Sequence, residues 1–394
     1  MAASTLRRRR LVAGLAVGAL IAVIATAAAS VSGGPAAHRH PAPVGRATTS
    51  TSAPPHPASS PTAALALLGP PVGPGYLQPG SDPAVLPGPL LIADKANSRL
   101  LIVDPQGRIR WQFPRPGDLP VGQTFSIPDD AFFTPDGREV VATAEDDSVI
   151  WVIDIATHRI VYHFGHPGIA GVSAGYLHNP DDAMMLPDGY LIMADIKNCR
   201  VILVAPGGSA PARQYGTDGS CMHAPPARFG SPNGAFPLRD GNYLITEING
   251  DWVDEMSLTG QVLWSIHPPA VAYPSDTNEV SPGRYLTVDY STPGQVVEFD
   301  RSGRSLFRYA PTSPGPALDH PSLALPLPNG DILLNDDYND RVIVIDPKTD
   351  RIVWQYGHDN VHGTGPGFLH IPDGIDLFPP YSLAGTHAST MGQP

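Results

Sequence analysis

The chain has 394 residues, of which 46 are proline and 40 are glycine, and it carries a formal charge of −12 at pH 7. This richness in turn residues excludes a fold of long helices and favours many short strands. Every acidic residue follows Ser81, whereas six arginines precede it, so the folded part is more acidic than the whole chain. We therefore expect no nucleic-acid partner, because phosphate binding needs clustered positive charge.

The N-terminus, residues 1–29, has the features of a targeting segment. Arg7–Arg10 precede the uncharged stretch Leu11–Ala29, which ends in small residues. Its length suits either a cleaved signal peptide or an uncleaved anchor with its arginines inside the cell. We therefore predict a protein of the cell envelope or the extracellular space, either anchored by residues 11–29 or secreted after cleavage, whose contact with the membrane is limited to this segment.

Composition also predicts what flanks the folded part. Residues 30–86 are rich in Pro, Ala, Ser and Thr and have little patterned apolar sequence, which predicts a disordered linker. Residues 381–394 are predicted to be a flexible tail. The only two cysteines, Cys199 and Cys221, are predicted to form a disulfide, because an exported protein matures in an oxidising environment.

A strand–turn–strand pattern occurs six times between these flanks. Clear copies are LLIADKANSRLLIVD from Leu90, YLIMADIKNCRVILV from Tyr190 and DILLNDDYNDRVIVID from Asp331. Weaker copies begin at Glu139, Asn242 and Arg284. Each copy is followed by a strand that usually carries an aromatic residue, as in RIVWQYG, and then by a loop that leads to a proline.

These prolines recur at the spacing of a propeller blade, roughly 40 to 50 residues. They are Pro128, Pro180, Pro232, Pro274, Pro321 and Pro372. Four strands per repeat and six repeats predict an all-β fold, a six-bladed β-propeller with four-stranded blades. Because the first repeat lacks a proline strand and the chain ends with an extra one, we predict that Gly374–Phe378 completes the blade formed by Leu90–Phe113 and closes the ring.

Two longer stretches carry a family resemblance. YGHDNVHGTGPGFLHIPDGIDL and FGHPGIAGVSAGYLHNPDDAMM, with the turns ADKANSR and ADIKNCR, resemble NHL-type repeats of TolB-like and amidating-lyase-like propellers. The resemblance covers residues 87–380 and implies the propeller fold. It leaves activity open, because such propellers serve as enzymes, sensors and binding platforms.

The repeated proline phrase predicts where chemistry could occur. In a propeller the loops that enter the innermost strands share a face with the turns after the second strands. Carboxylates and imidazoles should therefore crowd the channel mouth, where a divalent cation, Ca²⁺ or Zn²⁺, would be the implied cofactor. The candidate ligands are His178, Asp181, Asp182, His370, Asp373, Asp129, Asp130 and His320, with Asp276 beside them.

A structural interpretation of these acids stands beside the functional one. Asp after Pro can cap a turn, and an acid at the end of a second strand can bond the following turn. The acids at second-strand ends are Asp94, Glu145, Asp195, Glu247, Asp289 and Asp336. For these residues and for the tryptophans Trp111, Trp264 and Trp354, structural roles would suffice.

The histidines bear on two enzyme classes that the resemblance implies. Amidating lyases of this type hold zinc with three histidines; His178 and His370 match two of those positions, and Ala272 occupies the third. Propeller sulfotransferases use a histidine nucleophile, for which His166 and His358 are the candidates.

We predict a module that binds a small-molecule or protein ligand through its acidic channel face. The alternative is a metal-dependent lyase or hydrolase of the cell envelope, with Asp181, Asp373, His178 and His370 holding the cation and Tyr176 moving protons. A sulfotransferase-like enzyme is the third hypothesis.

Overall fold

The protein is a closed ring of six small sheets. The computed structural model describes residues 65–311 and 317–386, in which 24 strands form six four-stranded antiparallel sheets. The six sheets contact one another in succession around the whole ring. The helical elements of these residues are short single turns, so the predicted all-β six-bladed propeller is confirmed.

The strands follow the predicted repeat, and each blade runs from the channel outward. Blade I contains β24 (Pro372–Leu377), β1 (Leu90–Asp94), β2 (Arg99–Val103) and β3 (Ile109–Phe113). Blade II contains β4 (Ala131–Phe133), β5 (Glu139–Ala144), β6 (Val149–Asp154) and β7 (Arg159–Gly165). Blade III contains β8 (Pro180–Met185), β9 (Leu191–Asp195), β10 (Arg200–Val204) and β11 (Pro211–Tyr215). Blade IV contains β12 (Pro232–Pro237), β13 (Tyr243–Glu247), β14 (Trp252–Met256) and β15 (Val262–Ile266). Blade V contains β16 (Pro274–Ser281), β17 (Arg284–Asp289), β18 (Gln295–Asp300) and β19 (Ser305–Tyr309). Blade VI contains β20 (Ala324–Pro326), β21 (Ile332–Asp336), β22 (Arg341–Asp346) and β23 (Arg351–Gly357).

Burial explains the two kinds of strand sequence. Every residue of the second strand β1 and the third strand β2 is buried, as expected for strands covered on both faces by neighbouring blades. The outer strand β7 instead alternates between exposed and half-buried residues over most of its length. Continuous apolar runs thus mark the middle of a blade and alternating runs mark its rim.

Blade I is closed by the last strand of the chain. β24 pairs antiparallel with β1, placing Leu377 opposite Leu90 and Ile375 opposite Ile92. The predicted closure is confirmed: the innermost edge of β1, which would otherwise be unpaired, is covered by a strand from the other end of the sequence.

The predicted prolines mark the channel end of the innermost strands. Pro180, Pro232, Pro274 and Pro372 each begin a strand. In blades II and VI the strands instead begin at Ala131 and Ala324, three residues after the proline. Proline has no N–H for the ladder, so the start of a strand is a position where it is tolerated.

Three tryptophans of the outer strands join neighbouring blades. Each indole Nε1–H donates to a backbone carbonyl of the next blade: Trp111 to Ile155, Trp264 to Arg301, and Trp354 to Pro105. These bonds, with the burial of Trp111 and Trp354 and the partial burial of Trp264, account for the tryptophans without a ligand, as the structural interpretation predicted.

Residues 65–86, which the sequence placed in a disordered linker, are packed against the propeller in this structure. Val72 forms an isolated bridge with Ile109 of β3, and Leu77 forms one with Tyr356 of β23. Leu68 and Leu86 are buried. The sequence prediction missed this order because the segment has no periodic pattern of its own and its hydrogen-bond partners belong to strands distant in sequence.

The predicted disulfide is confirmed, since Cys199 and Cys221 are bonded with their Cα atoms 4.9 Å apart. The predicted targeting segment 1–29, residues 30–64 of the linker and residues 387–394 of the tail lie outside the described residues. Within the part of the chain that is described, no helix has the length and hydropathy needed to cross a membrane.

Candidate functional site

The residue that follows each of the six prolines faces one cavity at the end of the central channel. We call these six residues the channel ring: Asp129, Asp181, Asn233, Ser275, Ser322 and Asp373. Each retains between 4% and 7% of its accessible surface, so all six are within reach of a small ligand. The cavity has a volume of about 130 Å³ and is also lined by Lys95, Glu145, Tyr273 and Tyr290.

Backbone pairing explains why these side chains meet. Pro180 lies opposite Asp195, Pro232 opposite Glu247, and the same register recurs in blades V and I. The start of each innermost strand is thereby fixed beside the end of the second strand. The predicted juxtaposition of the proline loops and the second-strand turns is therefore present.

Neighbouring blades are linked through members of the channel ring. Asn233 Nδ2 donates to Ser275 Oγ at 3.2 Å, and Ser322 Oγ donates to the backbone carbonyl of Asp373 at 2.8 Å. Lys95, in the turn after β1, forms ion pairs with Asp373 at 2.7 Å and with Asp129. These contacts give a hydrogen-bond or ion-pair partner to the channel-ring residues of blades IV, V, VI and I.

Three further carboxylates near the channel ring lack such donors. Blades II, III and V each carry another acid directly after the residue of the channel ring. These are Asp130, Asp182 and Asp276, which we call the inner acids, and they are between 1% and 3% exposed. Apart from the neighbouring carboxyl groups, no hydrogen-bond donor of the described residues reaches either oxygen of Asp182, nor Oδ1 of Asp130 or Asp276. Oxygen atoms of the three inner acids lie within 4.8 Å of one another, as do those of Asp129, Asp130 and Asp181.

Two glycines lie where neighbouring innermost strands approach each other closely, next to the inner acids. A Cβ at Gly374 would lie 2.6 Å from Asp130 Cα, and one at Gly234 would lie 2.9 Å from Asp276 Oδ1. Blades I and IV therefore carry glycine at the position where blades II, III and V carry an inner acid. The glycines let neighbouring strands and carboxylates approach closely.

The pKa values reflect burial and the crowding of like charges. Burial, reinforced by the charge of Asp373, raises the pKa of Asp130 to about 7. Burial and the neighbouring Asp276 raise the pKa of Asp182 well above its ordinary value. Although burial opposes it, the ion pair with Lys95 holds the pKa of Asp373 below its usual range. The inner acids are therefore the part of the site whose negative charge lacks compensation.

Acids at second-strand ends have a different role in blades I, III and VI. Asp195 Oδ2 accepts from Asn198 Nδ2 at 2.8 Å and from Arg200 Nε at 2.7 Å, and its Oδ1 accepts from the backbone N–H of His178. Asp94 and Asp336 make the equivalent bonds to their own Asn and Arg. In these three blades the Asp-x-x-Asn-x-Arg motif is a structural clasp on the incoming loop, as the structural interpretation proposed.

The predicted histidine ligands do not line the cavity. His178 and His370 contribute backbone N–H groups to the clasps, through Asp195 and Asp94. The ring of His370 stacks on that of His362, and His320 Nδ1 lies 2.6 Å from Asp319 Oδ1. The structure thus brings the predicted acids together but leaves His178, His320 and His370 outside the cavity; a ligand role for them stays a prediction.

The other enzyme candidates also have packing partners. Tyr176 stacks on His166 with ring centroids 4.0 Å apart, and His358 stacks on Phe368 at 4.3 Å. His358 Nδ1 is also 2.6 Å from Gln78 Nε2. None of these residues lines the cavity, so neither the predicted lyase constellation nor a nucleophilic histidine is assembled there.

Sequence reasoning missed several residues of the site. Asn233, Ser275 and Ser322 were detectable, because each follows one of the six prolines as the aspartates do. Lys95 gave no such signal, because its partners Asp129 and Asp373 approach it only when the ring closes.

Comparisons with known proteins establish the fold and nothing finer. No family model and no curated protein sequence matches the chain, so the NHL-type assignment stays a prediction. Among solved structures, a Bacteroides caccae protein of unknown function matches at 18% identity and a TM-score of 0.51, covering 73% of this chain and 98% of its own. A streptogramin B lyase matches at 14% identity and 0.49 over 75% and 85% of the two chains, and the virginiamycin B lyase of Staphylococcus aureus at 15% and 0.42 over 58% and 69%.

Proposed function

We propose that this chain is an exported NHL-type propeller that binds a divalent cation through its acidic channel and uses that site to hold a small-molecule or protein ligand. The observation that carries the proposal is the group of inner acids. Asp182 is 1% exposed, and neither of its carboxyl oxygens has a donor among the described residues other than a neighbouring carboxyl, with Asp130 and Asp276 beside it. Buried carboxylates without partners are unfavourable unless a proton or a cation neutralises them.

The donor set favours a hard cation. The side chains around the cavity offer carboxylate, amide and hydroxyl oxygens, the atoms that Ca²⁺ prefers, and the histidines stand outside it. Lys95 neutralises Asp373 and Asp129 but forms no ion pair with an inner acid. A divalent ion at the inner acids would therefore complete the charge balance of the channel.

Calcium titration of the full chain by isothermal calorimetry tests the proposal. Wild type should bind Ca²⁺, and Asp182→Asn should weaken binding more than about tenfold, because it removes a charged ligand and keeps the side-chain shape. The matched control is Asp240→Asn, an exposed aspartate in the turn at the far end of β12, which should leave the affinity unchanged. Absence of Ca²⁺ binding, or equal affinity in wild type and Asp182→Asn, contradicts the proposal.

A metal-dependent lyase or hydrolase at the same cavity is the second candidate function. Tyr273 and Tyr290 favour it, because both phenols line the cavity beside the carboxylates and could move a proton to or from a bound substrate. Turnover that requires Ca²⁺ and is lost in Tyr290→Phe would distinguish this enzyme from a binding module.

A further inference from the structure

A second cluster of polar side chains lies in blade IV, outside the channel cavity. It consists of Glu247 at the end of β13, Asp254 in β14 and His223 in the loop before β12. Glu247 and Asp254 are fully buried, whereas the imidazole of His223 keeps 21% of its surface exposed. The cluster is thus closed toward the protein interior and open to solvent on the histidine side.

Blade IV lacks the clasp of blades I, III and VI at this point. In blade III an arginine, Arg200, lies directly opposite the acid Asp195 and neutralises it. In blade IV the position opposite Glu247 is Trp252, and a second acid, Asp254, follows two residues later. No lysine or arginine of the described residues forms an ion pair with Glu247 or Asp254. His223 is therefore the basic side chain that these two buried carboxylates face.

One oxygen of this cluster is aimed into it without a partner. Asp254 Oδ1 accepts from Ser265 Oγ, but no donor of the described residues reaches its fully buried Oδ2. Glu247 Oε2 accepts from the backbone N–H of Gly230, which leaves Oε1 directed toward the imidazole. One ligand atom from each of His223, Glu247 and Asp254 lies within 4.8 Å of the other two.

The two distances from the imidazole are close to those between neighbouring ligands of a tetrahedral ion. His223 Nδ1 lies 3.2 Å from Glu247 Oε1 and 3.7 Å from Asp254 Oδ2. Zinc bonds to nitrogen and carboxylate oxygen are about 2.0–2.2 Å long, which places neighbouring ligands of a tetrahedral ion roughly 3.3–3.6 Å apart. We propose that His223, Glu247 and Asp254 form a zinc site with one position open to solvent.

The loop that carries His223 is fixed from both sides. Cys221, two residues earlier, is bonded to Cys199, which directly precedes Arg200 of the blade III clasp. The imidazole also stacks on Trp252, with centroids 4.0 Å apart and planes 6° apart. The disulfide thus holds the imidazole above the buried carboxylates, and its removal is expected to weaken zinc binding.

Equilibrium dialysis of the full chain against Zn²⁺, with Co²⁺ as a spectroscopic substitute, tests the site. Wild type should retain one Zn²⁺ that His223→Ala loses or binds more than about tenfold more weakly, with loss of the tetrahedral Co²⁺ absorption. His163→Ala, at an exposed position in outer strand β7, is the matched control and should bind as wild type does. The double variant Cys199→Ser, Cys221→Ser should weaken binding and keep the tetrahedral spectrum.

Two results would overturn the zinc site. One is equal Zn²⁺ binding by wild type and His223→Ala when urea denaturation shows both folded. The other is no retained Zn²⁺ in wild type, which would mean that Glu247 and Asp254 share a proton instead. Asp182→Asn should keep the zinc while losing Ca²⁺ affinity, so failure here is distinguishable from failure of the channel proposal.

Discussion

At the scale of single residues, buried carboxylates in this propeller divide according to their partners. Asp195 has an arginine, an asparagine and a backbone N–H, and all three fix it as part of the frame. Among the residues that the structure describes, Asp182 has no donor at either oxygen other than a neighbouring carboxyl. Both are buried acids in short repeated phrases, but only the second retains unused capacity to bind a ligand.

Asp376 in β24 belongs to a third group, because its donors are all backbone. The N–H groups of Phe133, Leu377 and Leu383 donate to it, and no lysine or arginine of the described residues forms an ion pair with it. Burial raises its pKa to about 8 even though these bonds favour the charged form. It joins blade I to blade II and to the chain that follows β24.

We expect Asp376 to make stability depend on pH. Its folded pKa lies above its unfolded value, so its contribution is complete at pH below about 4 and is lost as pH rises toward about 8. The free energy of unfolding of wild type relative to Asp376→Asn should fall with a slope of at most about 1.4 kcal/mol per pH unit. Urea denaturation between pH 5 and 8 measures it. A difference that stays constant with pH would mean that Asp376 is ionised throughout.

At the scale of elements, the clasp connects each of three blades to the loop that enters it. Arg200 is 2% exposed; its Nη2 donates to the carbonyl of Tyr176 at 2.8 Å and its Nε to Asp195. The loop that leads to β8 is therefore attached to β10 through charged hydrogen bonds, which are stronger than neutral ones.

Replacing Arg200 by Met should destabilise the fold strongly. It leaves the buried carboxylate of Asp195 without its cation, a change that costs about 3–5 kcal/mol. Arg159→Met, on the exposed end of β7, is the matched control and should cost under about 0.5 kcal/mol. Urea denaturation of both variants measures the difference. A loss below about 1 kcal/mol for Arg200→Met would show that the clasp contributes little.

The elements also show how far the sequence could predict this molecule. The strands, the prolines and the closure by β24 were predictable because each depends on a local pattern that repeats. The direction of the His178 and His370 side chains could not be predicted. The clasp binds these residues through their backbone N–H groups, which carry no signal in the sequence. Nor could the sequence reveal that Glu247 lacks an arginine and lies beside Asp254, since this depends on the register of β13 and β14.

At the scale of the whole molecule, stability depends on closing the ring. β24 comes from the far end of the chain, and it covers β1 on one side and contacts β4 of blade II on the other. Without it, the inner edge of blade I would be open and the channel ring would lose Asp373.

Truncation tests this dependence on closure. A chain that ends at Ile371 lacks β24 and should lose cooperative unfolding and bind a hydrophobic dye, because the inner edge of β1 and the core residues packed on Ile375 and Leu377 become accessible. A chain that ends at Thr386 keeps every described residue after β24 and should melt as the full chain does. Calorimetry compares the two. A cooperative transition at the wild-type temperature in the shorter chain would contradict the proposed role of closure.

The antiparallel pairing of β1 with β24 also determines how the ring would respond to mechanical force. Leu90 and Leu377 lie opposite each other at the same end of the pair, and Phe378 N–H donates to the carbonyl of Pro89 just beyond it. Tension applied at Pro89 and Phe378 would thus load one hydrogen bond at a time and peel the strands apart. The ring should therefore open at low force when pulled from these two points.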